Sequence, residues 1–395
     1  VKTIESKPEI LVVDDIPSNI LLLSRLLKNL YRVLAADSGE KALEMAASKP
    51  SPDLILLDIR MPKMDGFEVC RRLKADPSLA DIPVIFLTAS NLVEDETKGL
   101  ELGAVDFITK PFNHHVVLAR VKTHLILKKA REVLEEKNQL MTNNLEAAAR
   151  IQETLLPKHS PSRDRLKFSY RFQPCEMVGG DLFNFFPLGE KYLGFFILDV
   201  AGHGLPAAMI TFSISQIMQP SSEALIDLIS HPAVVQSPTQ VIKRLAEAFP
   251  FERFNSCFTI AYLVLDLETG TLVSCSAGHP YPMILRRDGS ITTLSEGGPL
   301  IGIGVHKFRE SMEKLEPGDR LFLYTDGLTE FRNSSREFFG LDRVIEVLKS
   351  GTKETLEANF ERMMNTLRDF SGSEKPADDI TFWGFDYEKP LARPR

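Results

Sequence analysis

Four short apolar runs near the start of the chain each end in a polar side chain, and this punctuation limits the possible folds severely. Ile10-Leu11-Val12-Val13 ends in Asp14-Asp15, and Leu54-Ile55-Leu56-Leu57 ends in Asp58. Val84-Ile85-Phe86-Leu87 ends in Thr88, and Asp106-Phe107-Ile108-Thr109 ends in Lys110-Pro111. Runs without polar alternation suit strands buried on both faces, so they predict a parallel sheet with helices on either side. Helical spacing from Asn19 to Leu30 fits that pattern. Ligands of an open parallel sheet gather outside the carboxyl ends of its strands, where all four marks would meet. Three carboxylates there would repel one another unless a divalent cation neutralised them, and hard oxygen donors suit Mg²⁺. A lysine and a hydroxyl beside them could hold phosphoryl oxygens. One aspartate after a strand would only cap a helix or sit in a solvated loop. Four matched positions in order predict a site that binds or accepts a phosphoryl group.

The stretches ILVVDD, LILLDIRMPKMDG, PVIFLTA and DFITKPF, within residues 8–124, resemble the receiver domain of two-component response regulators. The resemblance implies a doubly wound, flavodoxin-like α/β fold with a five-stranded parallel sheet. It implies Asp58 as phosphoacceptor, with Asp14, Asp15, Asp58 and the backbone carbonyl of Arg60 as Mg²⁺ ligands. Thr88 and Lys110 would contact the phosphoryl group, and Phe107 stands where the family keeps its aromatic switch. The donor would be a sensor histidine kinase: Asp58 attacks its phosphohistidine, and Mg²⁺ offsets the developing charge. None of these positions departs from the family pattern.

From Leu125 to Leu155 the sequence has no glycine or proline. Leu127, Leu134, Met141, Ala148 and Leu155 recur every seven residues, beside a column of Ile126, Val133, Leu140 and Ala147. This predicts a long amphipathic helix and, as a parallel coiled coil, a homodimer joined through residues 125–155. A helix packed on its own chain is the alternative. Lys137 and Asn144 interrupt the seam, which would fix register at some cost in stability. Pro157 and Pro161 end the helix. The expected division is therefore a receiver over 1–124, a helical coiled-coil linker over 125–158 and a third region over 159–395.

That third region is β-rich. Leu193–Val200, Phe258–Leu267, Thr271–Ala277, Met283–Arg286 and Arg320–Tyr324 read as strands, with turns at Glu268-Thr269-Gly270 and Arg287-Asp288-Gly289. Helical patterns at Pro206–Met218, Thr239–Phe249, Leu341–Lys349 and Thr355–Phe370 make it an α+β domain. Four segments set aspartate beside glycine or a second aspartate: Gly179-Gly180-Asp181, Asp199-Val200-Ala201-Gly202-His203-Gly204, Thr325-Asp326-Gly327 and Asp378-Asp379. Glycine lets the backbone turn sharply and lets an ion approach. Oxygen donors without a cysteine cluster favour Mg²⁺ or Mn²⁺ over zinc. Carboxylates scattered in sequence but gathered in space are what a two-metal site requires, where a shared water is activated for in-line attack on phosphorus.

With the SAGHP stretch at Ser276–Pro280 and GGPLIGI at Gly297–Ile303, residues 165–388 resemble the PPM-type serine/threonine phosphatases. The nearest branch is the bacterial one that controls sporulation and general-stress sigma factors. The resemblance implies a β-sandwich flanked by helices. It implies two Mn²⁺ or Mg²⁺ ions held by Asp181, Asp199, Asp326, Asp378 and the Gly202 carbonyl, with Asp379 acting through a water. The implied substrate is a phosphorylated anti-sigma-factor antagonist. Degenerate members of this architecture that act as adaptors have lost metal aspartates, whereas this chain keeps all four. The one departure is Leu245-Ala246, where relatives often show Leu-Asn. His203 invites an acid–base or supporting role at the metals, as does His279, but the plainer expectation is that each hydrogen-bonds its own loop.

Net charge is −7, with pI near 5.7, which argues against coating nucleic acid or an anionic membrane. Four cysteines without CxxC spacing disfavour a disulfide scaffold or zinc ribbon and fit a reducing compartment. No apolar run approaches the roughly 18–20 residues of a membrane span, and the first twenty residues show no secretion signal, so a cytoplasmic protein is expected. The combined expectation is a response regulator in which phosphorylation of Asp58 raises the activity of a phosphatase. A non-catalytic adaptor gated by the receiver, or a phosphatase for small molecules, are the alternatives.

Overall fold

The structure is a computed structural model and describes residues 7–89, 93–157, 166–219, 237–305, 307–372 and 374–388; Pro161 lies outside them. The chain divides into two compact units, Val1–Leu140 and Met141–Arg395.

The first unit is a parallel sheet of β1 (Glu9–Val13), β2 (Arg32–Ala36), β3 (Leu54–Asp58), β4 (Val84–Thr88) and β5 (Asp106–Thr109), ordered β2-β1-β3-β4-β5. Around it run α1 (Pro17–Leu27), α2 (Gly39–Ala46), α3 (Gly66–Ala75), α4 (Val93–Glu101) and the start of α5 (His114–Leu155). Successive side chains of β1 and β3 enter opposite cores. Leu11, Val13, Ile55 and Leu57 join one cluster, and Ile10, Val12, Leu54 and Leu56 join the other. That double burial explains the uninterrupted apolar runs. Edge strand β2 is partly exposed and carries a fifth apolar run, Val33-Leu34-Ala35-Ala36, which ends in Asp37. Gly66 begins α3 hard against β3, where a Cβ would lie 2.2 Å from the Asp58 carbonyl oxygen. Asp65 caps the same helix by accepting from the Glu68 amide at 2.8 Å.

The long helix starts earlier than its heptads suggest. Helix α5 is continuous over 42 residues from His114, so the last helix of the sheet unit and the linker are one element. Val117 and Val121 bury it against the sheet. Beyond them the first heptad positions turn to solvent, with Leu127, Leu134 and Met141 57%, 60% and 63% exposed, whereas Ala148 is half-buried and Leu155 packs on the core of the second unit. Among the described residues, no helix is long and apolar enough to cross a membrane.

The second unit stacks two sheets. One is ordered β13-β10-β9-β8-β7, with β14 paired to β10. Its strands are β7 (Leu182–Leu188), β8 (Tyr192–Val200), β9 (Phe258–Asp266), β10 (Thr271–Ala277), β13 (Gly297–Gly298) and β14 (Ser311–Lys314). The other is ordered β12-β11-β15-β16-β6, from β6 (Leu166–Gln173), β11 (Met283–Leu285), β12 (Ile291–Thr293), β15 (Arg320–Tyr324) and β16 (Ile380–Tyr387). Trp383 of β16 is buried between the sheets, its ring centroid 5.7 Å from that of Phe195 on β8. The alternate residues Phe382 and Ile380 pack outward with Phe360 and Met363 of α11 (Leu356–Ser371). Helices α6 (Gly204–Ile217) and α7 (Pro238–Ala248) add Ile214, Ile242 and Leu245 to the core of the first sheet. Further helices are α8 (Phe251–Phe254), α9 (Asp326–Thr329) and α10 (Gly340–Ser350). A sandwich flanked by helices matches the expected α+β class, with β6, β7, β12, β13, β14 and β16 added to the strands legible in the sequence.

Candidate functional sites

In the first unit the strand ends converge as their punctuation predicts. Carboxylate oxygens of Asp14, Asp15 and Asp58 lie within 4.8 Å of one another, a grouping that could hold a cation. Lys110 Nζ reaches both Asp14 Oδ2, at 2.8 Å, and Asp58 Oδ1, at 2.9 Å. Burial raises the Asp58 pKa, the Lys110 hydrogen bond opposes it, and the charges of Asp14 and Asp15 push it up again. Burial works against the Lys110 ammonium, but its bonds to Asp14 and Asp58 prevail and strengthen its hold on the proton. Thr88 is buried at the end of β4, and Arg60 lies two residues past Asp58 at the same edge. Phe107 sits on β5 with the Arg120 guanidinium 5.3 Å from its ring centroid. Sequence reasoning missed Asn19, whose Nδ2 donates to both Asp14 oxygens at 3.0 Å.

In the second unit the four glycine- and aspartate-bearing segments meet at one end of the sandwich. Asp181 precedes β7, Asp199 lies near the end of β8, Asp326 opens α9 after β15, and Asp378 and Asp379 precede β16. Gly179 and Gly180 are obligatory: a Cβ on Gly179 would lie 2.2 Å from Asp379 Oδ2, and one on Gly180 would lie 2.7 Å from the Val200 carbonyl oxygen. The Gly202 carbonyl oxygen is 3.4 Å from that same imagined Gly180 Cβ, beside the Gly180-Asp181 loop.

Four side chains pin this loop. The Asp379 carboxylate accepts the amides of Cys175 at 2.8 Å and Gly180 at 2.6 Å. Thr211 Oγ1 donates to the Gly180 carbonyl at 2.6 Å. Gln152, buried near the end of α5, donates to the Gly179 carbonyl at 2.8 Å and accepts from its amide at 3.0 Å. Thr325 Oγ1 donates to Asp181 Oδ2 at 2.8 Å and accepts the Thr381 amide at 3.1 Å. Among the described residues, Asp181 Oδ1 is left buried without a hydrogen-bond partner.

The carboxylates oppose one another's ionisation. Burial, then Asp199 and Asp379, raises Asp181 well above the usual range. Burial, then Asp326, Asp378 and Asp379, pushes Asp199 up to about 7. Asp326 and Asp378 are raised chiefly by burial too, and both feel Glu330, one helical turn from Asp326. An orphaned carboxylate oxygen among mutually repelling carboxylates fits a hard divalent cation. Gln152, Thr325 and Glu330 were missed, because a lone polar residue carries no sequence signal of what it will touch.

Neither histidine behaves as expected. His203 does not bond its own loop; its Nδ1 lies 2.8 Å from Glu176 Oε1, both side chains exposed. His279 is buried, with Nδ1 2.7 Å from Thr259 Oγ1 on the neighbouring strand.

Residues 189–387, just over half of the chain, match the family described as stage II sporulation protein E (SpoIIE). The chain belongs to the SpoIIE family. The SpoIIE match takes in Asp199, Asp326 and Asp378, and Asp181 lies just ahead of it. Residues 10–122 match the response regulator receiver domain, which takes in Asp14, Asp15, Asp58, Thr88, Phe107 and Lys110.

The chain is similar to a probable cyclic di-GMP phosphodiesterase of Vibrio cholerae, 46% identical over 136 residues, covering 34% of this chain and 31% of that protein. It is also similar to protein IcfG of a Synechocystis species, 28% identical over 250 residues, covering 58% of this chain and 38% of that one. It thus spans about a third of the length of these curated relatives. Among solved structures, the SiaA-PP2C domain of Pseudomonas aeruginosa aligns with a TM-score of 0.55 at 21% identity, covering 64% of this chain and 99% of that domain. That likeness shows the fold of the SpoIIE region.

Proposed function

We propose that this chain is a response regulator in which phosphorylation of Asp58 controls a metal-dependent protein serine/threonine phosphatase. The observation that carries the reading is the orphaned Asp181 Oδ1, buried among carboxylates whose mutual repulsion a cation would relieve. Asp181, Asp199, Asp326, Asp378 and the Gly202 carbonyl would hold two Mn²⁺ or Mg²⁺ ions. Bound there, the ions supply charge neutralisation and a water of lowered pKa. The chain's own residues set the geometry. Thr325 ties down Asp181 Oδ2 and so presents Oδ1. Asp379 fixes the glycine loop by accepting the Cys175 and Gly180 amides. His203, paired with Glu176 and near enough to Asp378 for its charge to be felt there, would give a proton to the departing serine or threonine oxygen.

In the receiver, Asp58 would take the phosphoryl group of a sensor histidine kinase's phosphohistidine, Asp14 and Asp15 would hold Mg²⁺ beside it, and Lys110 would neutralise the oxygens. The exposed heptad face of α5 supports a homodimer. The substrate we infer is a phosphoserine or phosphothreonine on an anti-sigma-factor antagonist, in keeping with membership of the SpoIIE family.

The test is phosphate release from a phosphorylated antagonist domain in Mn²⁺, with and without a small phosphodonor for the receiver. The wild-type chain should turn over and respond to the donor. Asp58→Ala should turn over without responding. No hydrolysis by the wild-type chain in either state would leave the adaptor reading standing instead.

A further inference from the structure

The SAGHP stretch contributes a side chain that the proposed chemistry does not use. His279 is only 4% exposed, yet it lies in the same end of the sandwich as the metal loops. Its position follows from the backbone. Gly278 is left-handed, at φ +67°, and its amide donates to the Gly298 carbonyl at 2.9 Å. A side chain there would strike Leu300, so only glycine permits the turn after β10. The turn brings the imidazole back over β9, where Nδ1 meets Thr259 Oγ1 at 2.7 Å.

Thr259 is the register partner of Asp199 across β8 and β9. Directly opposed residues of an antiparallel pair project to the same face, about 5 Å apart at Cβ. The hydroxyl that His279 holds is therefore the neighbour of a metal-ligand candidate. On its other side the ring feels the Tyr324 backbone, two residues before Asp326 on the opposing sheet, but Nε2 makes no hydrogen bond among the described residues. Burial pushes the imidazole pKa down to about 3, against that smaller opposing pull, so the ring is neutral at working pH. Neutrality suits the place. A permanent cation here would offset the carboxylates and compete with the metals, whereas a neutral ring can order the strand without doing so.

We propose that His279 is a positioning residue of the metal site, a buried brace that holds Thr259 and, through it, the Asp199 strand. The inference rests on the two-metal reading. It concerns how the ligands are held, with no contact between His279 and substrate.

The experiment is calorimetric Mn²⁺ titration of the full-length chain, with metal-free melting recorded alongside. His279→Leu and Thr259→Val should each weaken Mn²⁺ binding about tenfold, the range typical of groups that orient metal ligands. The double variant should bind no more weakly than either single one, because both remove the same bond. His279→Asn, which restores a polar atom near the Nδ1 position, should recover most of the affinity. A merely structural role would lower the melting temperature and leave Mn²⁺ affinity of the folded chain unchanged, and that result overturns the inference. Should His279→Leu fail to fold, Thr259→Val decides by the same criterion. A wild-type chain whose second unit binds no Mn²⁺ would overturn the two-metal reading and the inference with it. Wild-type binding with unaltered variants overturns the inference alone.

Discussion

Asp199→Asn should stabilise the metal-free protein at alkaline pH while abolishing its response to metal. In the folded chain the Asp199 carboxyl titrates at about 7, against an ordinary value of 3.8, because burial and the charges of Asp326, Asp378 and Asp379 disfavour its anion. The folded state therefore binds this proton more tightly than the unfolded chain does. Stability from this source is complete below pH 4, declines as pH rises from about 4 to 7, and is lost above 7. At 1.36 kcal/mol per pH unit the loss is of order 4 kcal/mol, which in a unit of this size corresponds to roughly 10 °C in melting temperature. Asp181 shifts in the same direction and adds to the slope. Asparagine carries no charge to penalise. Urea unfolding in chelator across pH 5–8 should show wild-type stability falling steeply and Asp199→Asn falling less, so that the variant is the more stable chain at pH 8. Adding Mn²⁺ should reverse the order and leave the variant with turnover reduced by orders of magnitude. A flat wild-type profile in chelator, or a variant less stable than wild type at pH 8, would refute the account of the site as frustrated carboxylates awaiting a cation.

Two further outcomes follow from α5. Gln152→Leu removes both hydrogen bonds to Gly179; it should lower stability by about 1–3 kcal/mol and weaken Mn²⁺ affinity and turnover roughly tenfold, and full activity would show that the loop holds itself. Leu134→Lys with Met141→Lys should give monomers in sedimentation and a phosphatase insensitive to Asp58 phosphorylation; a regulated dimer in that variant would dismiss the coiled-coil relay.

Much of this was legible in the sequence because burial on both faces leaves a direct trace. The β1, β3 and β4 runs are unbroken for the same reason that their terminal Asp14, Asp58 and Thr88 stand out, since a parallel sheet places strand ends at one edge. The glycine–aspartate segments were legible for a steric reason: a Cβ on Gly179 or Gly180 would collide with the very elements that bring the carboxylates together. Edge strand β2 has a similar run, Val33-Leu34-Ala35-Ala36, but half of it is alanine, which suits a helix better than a strand and so blurs the pattern.

Other features belonged to the tertiary structure alone. Heptad spacing marks Leu127 and Leu134, but it does not reveal that the helix begins at His114, where packing against the sheet follows a different face. The partners of His203 and His279 lie 27 and 20 residues away in sequence, on Glu176 and Thr259, so local reasoning assigned both rings to their own loops. Gln152, Thr325 and Asp379 acquire their roles only once folding delivers a backbone amide or a carboxylate oxygen to them. Which residues could carry charge, turn sharply or be buried was readable before folding, because those are properties of side chains and short runs. Which oxygen of Asp181 is tied and which is orphaned was decided by the meeting of four distant segments, because a hydrogen bond depends on distance and angle, and those exist only in the folded chain.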